Sequence, residues 1–234
     1  MKPIVVLGSG GYAQEIAWII DDLNAVSPAW ELLGFVDPGS PLRKGGVLYD
    51  RPILGGFEAK ASLPRDLWFA CGIGSPAARR VESAAAEALG WQPATLIHPS
   101  VIIARHVEIG AGCVIGAGSI IAPHARIGRH CAINLHVTVG HNSSLADNCV
   151  LSPGVRVSGN ARLAEEVFVG SNASIYFGRR IGRGATLGAN SFLVTDLGAE
   201  KSALGIPAKP FARATGAGIC TTQETKPDSL PYSS

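Results

Sequence analysis

Two histidines, His136 and His141, stand five positions apart in the stretch INLHVTVGHNSSLADN, residues 133–148. Imidazole is the side chain that exchanges a proton near neutral pH, and it is also a common ligand of zinc. The stretch therefore holds a metal pair, a general base with a bystander, or two polar residues on a solvated strand. A second set of residues points to anions. Gly8, Gly10 and Gly11 lie between the apolar run PIVVL and a segment with Ile16, Ile19, Ile20 and Leu23 at helical spacing. Glycines at that junction let phosphate groups approach backbone N–H groups at the start of a helix. Gly8, Gly10 and Ala13 also fit a dinucleotide pattern, with Asp37 at the end of the next strand as a ribose or base contact. Gly74, Ser75 and Arg79, after a later apolar run, are further candidate contacts.

The elements that must position these residues come in two grammars. Up to about residue 95, strand-like runs (PIVVL, LLGFVD, LWFACGIG) alternate with helical ones. SPAARRVESAAAEALG reads as a helix capped by Ser75, with Pro76 at its first position and Gly90 at its end. Strands alternating with helices imply a parallel sheet. Three or four strands make a Rossmann-like half domain, too short for a full dinucleotide-binding fold.

From Ile97 the chain reads in sixes. Ile97, Ile103, Ile109, Ile115, Ile121, Ile127, Ile133, Val139, Leu145, Leu151, Val157, Leu163, Val169, Ile175, Ile181, Leu187 and Leu193 are all aliphatic. Four residues after each comes a mostly small one, and Cys113, Cys131 and Cys149 fall in that column eighteen apart. This is the hexapeptide signature of a parallel β-helix, three sixes to a triangular coil. The cysteines then stack at one inward corner as small hydrophobes. The reading divides the chain into an α/β domain at 1–95, a β-helix at 96–214 and a flexible tail at 215–234.

Composition narrows the partners. The 234 residues carry a net charge of +2, only 16% charged residues and no lysine- or arginine-rich run, so nothing marks a nucleic-acid surface. Five cysteines in a chain with 47% hydrophobic residues do not suggest a disulfide framework. No stretch resembles a signal peptide or a membrane span, and the expected location is the cytoplasm.

Laid in order, GSGGYAQEI, GFVD, LIHPS, the hexapeptide run, INLHVTVGH and LGIPAKPFA make the chain resemble the bacterial nucleotide-sugar and sialic-acid acetyltransferases. These join a small nucleotide-binding domain to a left-handed β-helix. The resemblance implies a homotrimer, with acetyl-CoA as cosubstrate in a groove between subunits, and no metal. It implies His141 as general base, Asn134 as the asparagine of the IN motif, and the Gly159 N–H as donor to the acetyl carbonyl. Ser171 and Ala189 would line the acetyl-CoA groove, with Lys209 meeting a phosphate. Gly8, Gly10, Gly11, Asp37, Gly74 and Ser75 would hold the nucleotide-sugar, and His136 is either a wall of the acceptor pocket or a surface residue. Asn142 stands where the family commonly carries an acid that orients the base, and Val150 where a second histidine is often found.

The expected activity is N-acetylation of a nucleotide-linked 4-amino-deoxysugar in a ternary complex. O-acetylation of a sialic-acid-like sugar and a non-catalytic binding trimer remain as alternatives. A zinc lyase resembling the γ-class carbonic anhydrases would need a third histidine about two coils before His136. Ser100 stands there, and His98 and His106 miss the register.

Overall fold

The computed structural model describes residues 1–39 and 45–211; the segment read as a tail, 215–234, lies outside them. The first unit is an α/β sheet of β1 (Lys2–Leu7), β2 (Trp30–Val36), β3 (Val47–Leu48), β4 (Arg51–Gly55), β5 (Trp68–Cys71) and β6 (Gln92–Pro93), ordered β3-β4-β2-β1-β5-β6. All neighbours are parallel except the β3–β4 hairpin. The sheet thus has six strands where the apolar runs predict three or four. The additional ones are two residues long, or interrupted by Pro52, and leave little periodicity.

Two helices pack on this sheet. α1 (Gly11–Val26) buries Ala13, Ile16, Ala17, Ile19 and Ile20. α2 (Pro76–Ala88) begins as its sequence predicts, with the Ser75 hydroxyl accepting from the Ala78 N–H at 3.5 Å and Gly90 at φ +86° just past its end.

From Leu96 onward the chain is a left-handed parallel β-helix of two-residue strands. Its first face stacks Leu96–Ile97, Val114–Ile115, Ala132–Ile133, Val150–Leu151, Phe168–Val169 and Thr186–Leu187. The second stacks Ile102–Ile103, Ile120–Ile121, Thr138–Val139, Arg156–Val157, Ser174–Ile175 and Phe192–Leu193. The third stacks Glu108–Ile109, Arg126–Ile127, Ser144–Leu145, Arg162–Leu163 and Arg180–Ile181. Nearly all the aliphatic residues of the six-residue column point inward and form one buried core with Cys113, Cys131 and Cys149. Each of these thiols donates to a carbonyl across the corner, those of Gly128, Ala146 and Ala164. The four described cysteines are free.

The corners obey a rule of their own. Every sixth residue from 106 to 190 adopts a positive φ, and those positions hold only Gly, Asn, His and Glu. Glycine and asparagine are the residues that enter this left-handed region most cheaply. His136 belongs to this column, at φ 54°, exposed at the corner between the first and second faces.

The α/β unit sits astride the first face. Leu96 and Val114 are fully buried in its core. α1 runs along the corner between the first and second faces, where Asp22 bonds His98 at 2.8 Å and the Glu15 carboxyl takes a hydrogen bond from Asn134. Seven residues of helix rise about 10.5 Å, close to the ~9.6 Å between His98 and Asn134 two coils apart, so helix and prism axis run together. α2 holds the corner between the third and first faces, where Glu87 bonds His130 at 3.0 Å and Arg80 pairs with Glu166 at 3.2 Å.

Arg79, read from sequence as a candidate nucleotide contact, is instead a buried strut. It is fully buried and donates to the carbonyls of Cys71, Ile73 and His130, joining the end of β5 to the prism. Arg79→Ala leaves three buried acceptors unpaired and opens a cavity. We expect a loss of about 3–5 kcal/mol, read as a lower denaturant midpoint.

Candidate active site

Two polar centres among the described residues bear on the candidate chemistry. The first lies at the carboxyl ends of β1, β2 and β5. Strand order reverses across β1, so the loops after these strands open a crevice of the kind that receives nucleotides. Gly8 takes φ +91°, a conformation open to glycine, and its N–H donates to Val36 O. Gly10 and Gly11 have open space where a side chain would stand, and Gly10 caps α1 without any side chain of its own. The first N–H groups of α1 are thereby presented to an anion. Asp37 accepts from the Ser9 hydroxyl beside them. Gly74 is likewise open, while the Ser75 side chain is occupied in capping α2. Gly72 lets the sheet approach the helix, since a Cβ there would meet the Ala13 Cα at 2.8 Å.

The second centre is His141, at the corner between the second and third faces. Its Nδ1 lies 2.9 Å from the Asn142 side-chain amide. Its Nε2 edge lies over Gly159, one coil on, where an added Cβ would come within 2.6 Å of Nε2. The Gly159 carbonyl accepts from the Gly178 N–H, whereas its own N–H has no acceptor among the described residues. The Phe177 ring closes the same column from two coils above, its centroid 6.2 Å from that of His141. A ring nitrogen, an N–H with no acceptor among the described residues and an aromatic ring therefore fall in one column of stacked turns.

The remaining candidates lie elsewhere. Asn134 and His136 occupy the first–second corner, together with Ser171 and Ala189 of later coils; Lys209 is exposed on the strand Lys209–Phe211. Within one chain, then, the structure brings His141, Asn142 and Gly159 together and places Asn134 at the other end of the second face. The Asn134 Oδ1 accepts from the Leu135 N–H at 2.7 Å, and the side chain also bonds Glu15. Glu15 was not anticipated. Burial pushes its carboxyl above the usual carboxylate range, the Asn134 amide opposes this, and its Oε2 is buried without a partner. Val150 is buried on the first face. His136 and His141 stand on different corners, and among the described residues no three His, Cys, Asp or Glu side chains are grouped to hold a metal ion.

Comparison with known proteins agrees with this fold. The PglD N-terminal domain matches residues 3–83, and the hexapeptide repeat of succinyl-transferase matches residues 102–123 and 165–194. The acetyltransferase domain of PglB from Neisseria gonorrhoeae FA1090 is 27% identical, with a TM-score of 0.81 over 90% of this chain and 100% of its own. PerB from Caulobacter crescentus, solved with CoA and GDP-perosamine, is 28% identical, with a TM-score of 0.81 over 91% of this chain and 98% of its own. WeeI from Acinetobacter baumannii AYE shares the fold at 22% identity and a TM-score of 0.82, covering 90% of this chain and 100% of its own. No curated protein sequence matches. Both units are matched in order and the likeness runs almost end to end: the chain joins a PglD-type N-terminal domain to an acyltransferase β-helix of hexapeptide repeats.

Proposed function

We propose that the chain is an acetyl-CoA-dependent N-acetyltransferase acting on the amino group of a nucleotide-linked 4-amino-deoxysugar. The observation that carries the reading is the placement of the His141 Nε2 edge over Gly159, with the Gly159 N–H unengaged. The resemblance to PerB, which binds CoA and GDP-perosamine, supports the substrate classes. The glycine crevice supports a diphosphate.

In the proposed step the neutral amine attacks the thioester carbonyl carbon, and His141 Nε2 accepts the amine proton. The Gly159 N–H donates to the oxyanion of the tetrahedral intermediate. Collapse expels the CoA thiolate, which takes the proton back from the imidazolium. Nε2 is free to accept only while the ring carries its own proton on Nδ1. Asn142 must then present its Oδ1 there, a half-turn of the side-chain amide from the orientation in which Nδ2 faces Nδ1. An uncharged partner makes a modest base, which suits an amine better than a hydroxyl.

The site is proposed to be completed by a second copy in a homotrimer. The chain's own α/β unit covers the first face, and His141 stands on the corner remote from it. Gly159 and the pair Ser171 and Ala189 likewise line different corners, so one acetyl-CoA groove can use all three only where two copies meet. Asn134, His136 and the nucleotide crevice then belong to one chain, and the base to its neighbour.

The direct test is thiol release from acetyl-CoA with a panel of UDP-, dTDP- and GDP-linked amino sugars. His141→Ala is expected to lose at least about 100-fold in kcat. Gly159→Ala, whose Cβ displaces the ring, should lose a similar factor with the fold intact. Full activity in His141→Ala would sink the reading. Asn142→Asp fixes an acceptor at Nδ1, so kcat should rise severalfold and the acidic limb of the pH profile move to higher pH, because a carboxylate favours the imidazolium. Mixing inactive His141→Ala chains with inactive Asp37→Ala chains should restore activity, and no restoration after subunit exchange would refute the shared site.

A further inference from the structure

Phe177 is the residue of the His141 column two coils on. Coils stack about 4.8 Å apart, so the two backbones are separated by roughly twice that, yet the ring centroids are only 6.2 Å apart and the planes are tilted by 53°. The residue between them, Gly159, has no side chain to keep the rings apart. They lean together over it and form a wedge, with His141 Nε2 on one wall and the Phe177 ring on the other.

Phe177 is 49% exposed, although it is among the largest apolar side chains of the prism. Its neighbour Tyr176 is packed edge-on against Phe192, with centroids 6.1 Å apart. Among the described residues, the only ring that Phe177 meets is His141. An apolar surface left open beside a base lends itself to a ligand, because covering it there releases water.

We propose that Phe177 sets the size of the acyl group, admitting acetyl and excluding longer chains. This rests on the proposed function. With the thioester carbonyl oxygen at the Gly159 N–H and the sulfur leading away along the CoA chain, the third substituent of the carbonyl carbon is left the wedge between the rings. A methyl group fits at its mouth and gains contact with the Phe177 face. Each further methylene runs into that ring, which cannot retreat without giving up its contact with His141. Phe177 is a specificity-determining wall and takes no part in proton transfer.

The test compares acetyl-, propionyl- and butyryl-CoA with the wild type, Phe177→Ala and Phe177→Leu. The wild type is expected to prefer acetyl over butyryl by about 100-fold in kcat/KM, within the range that one or two methylenes carry in an apolar pocket. Phe177→Ala should reduce that ratio at least about 10-fold while retaining acetyl transfer, and Phe177→Leu should fall between. Dissociation constants for acetyl- and butyryl-CoA, measured by calorimetry without an acceptor, should show the same change of ratio. An acetyl-to-butyryl ratio that stays the same in Phe177→Ala, in transfer or in binding, overturns the wall. Absence of transfer by the wild type with every acyl-CoA and acceptor instead overturns the proposed function, and the binding ratio still decides the wall.

Discussion

Turning three corners in eighteen residues is the constraint on which the rest of this molecule depends. Each corner needs one residue in the left-handed region, and each face needs one aliphatic side chain pointing into a prism too narrow for anything larger. The first requirement explains the column of Gly, Asn, His and Glu at positive φ. The second explains the unbroken aliphatic column. Together they fix the register, because a slip of one residue would turn the core outward at every coil. Once the register is fixed, residues eighteen apart must lie one above another, and the placement of His141, Gly159 and Phe177 follows from that stacking.

Much of this was legible in the sequence, for a physical reason: a repeat that buries one side chain per six residues leaves a signal in each six. The cysteine column and the glycine junction before α1 were legible on the same terms. The register also contained something that reading the IN motif as one site concealed. Asn134 and His141 are seven residues apart, more than one face, so they cannot share a corner. Phe177 was available by the same arithmetic, thirty-six residues after His141, but a lone aromatic in a turn carries no chemical label. Arg79 and Glu15 were not legible. A charged side chain is ordinarily solvated, and only the docking of two units buries these two. The short strands β3, β4 and β6 escaped because two to five residues support no periodicity.

The docking of the two units rests on polar contacts to an unusual degree. Arg79 with the His130 carbonyl, His98 with Asp22, His130 with Glu87, Glu166 with Arg80 and Asn134 with Glu15 all cross the junction. Buried polar contacts of this kind add less net stability than apolar ones would, because desolvation offsets most of the gain. What they add is orientation. Apolar packing of Leu96 and Val114 against α1 tolerates sliding along the prism, whereas a guanidinium held by the Cys71 and Ile73 carbonyls of its own unit and donating to His130 O of the prism does not. Burial lowers the pKa of His130 despite Glu87 beside it, so the neutral ring belongs to the docked state. In the proposed reading, a nucleotide crevice that delivers a sugar to a neighbouring copy's corner needs that fixed orientation more than it needs additional stability.

The same stacking sets the geometry of the proposed chemistry. In that reading base, carbonyl donor and apolar wall come from three successive coils, and their spacing is the coil spacing, a property of the hydrogen bonds that hold the prism together. Such a site needs no loop to close over it, and its geometry moves only if the register moves. Its adjustable parts are the side chains that occupy the column: glycine in the middle, so that the rings can approach, an aromatic above, and a histidine below. Asn142 lies outside this scheme, because it meets His141 from its own turn and takes its conformation from the left-handed column, which a short polar side chain enters cheaply and which also holds the acid Glu166. The corner's conformation therefore does not dictate the choice of an asparagine over an acid. In the proposed reaction the ring has no charged partner, and an amine acceptor tolerates this, since it attacks as a neutral nucleophile and sheds its proton afterwards.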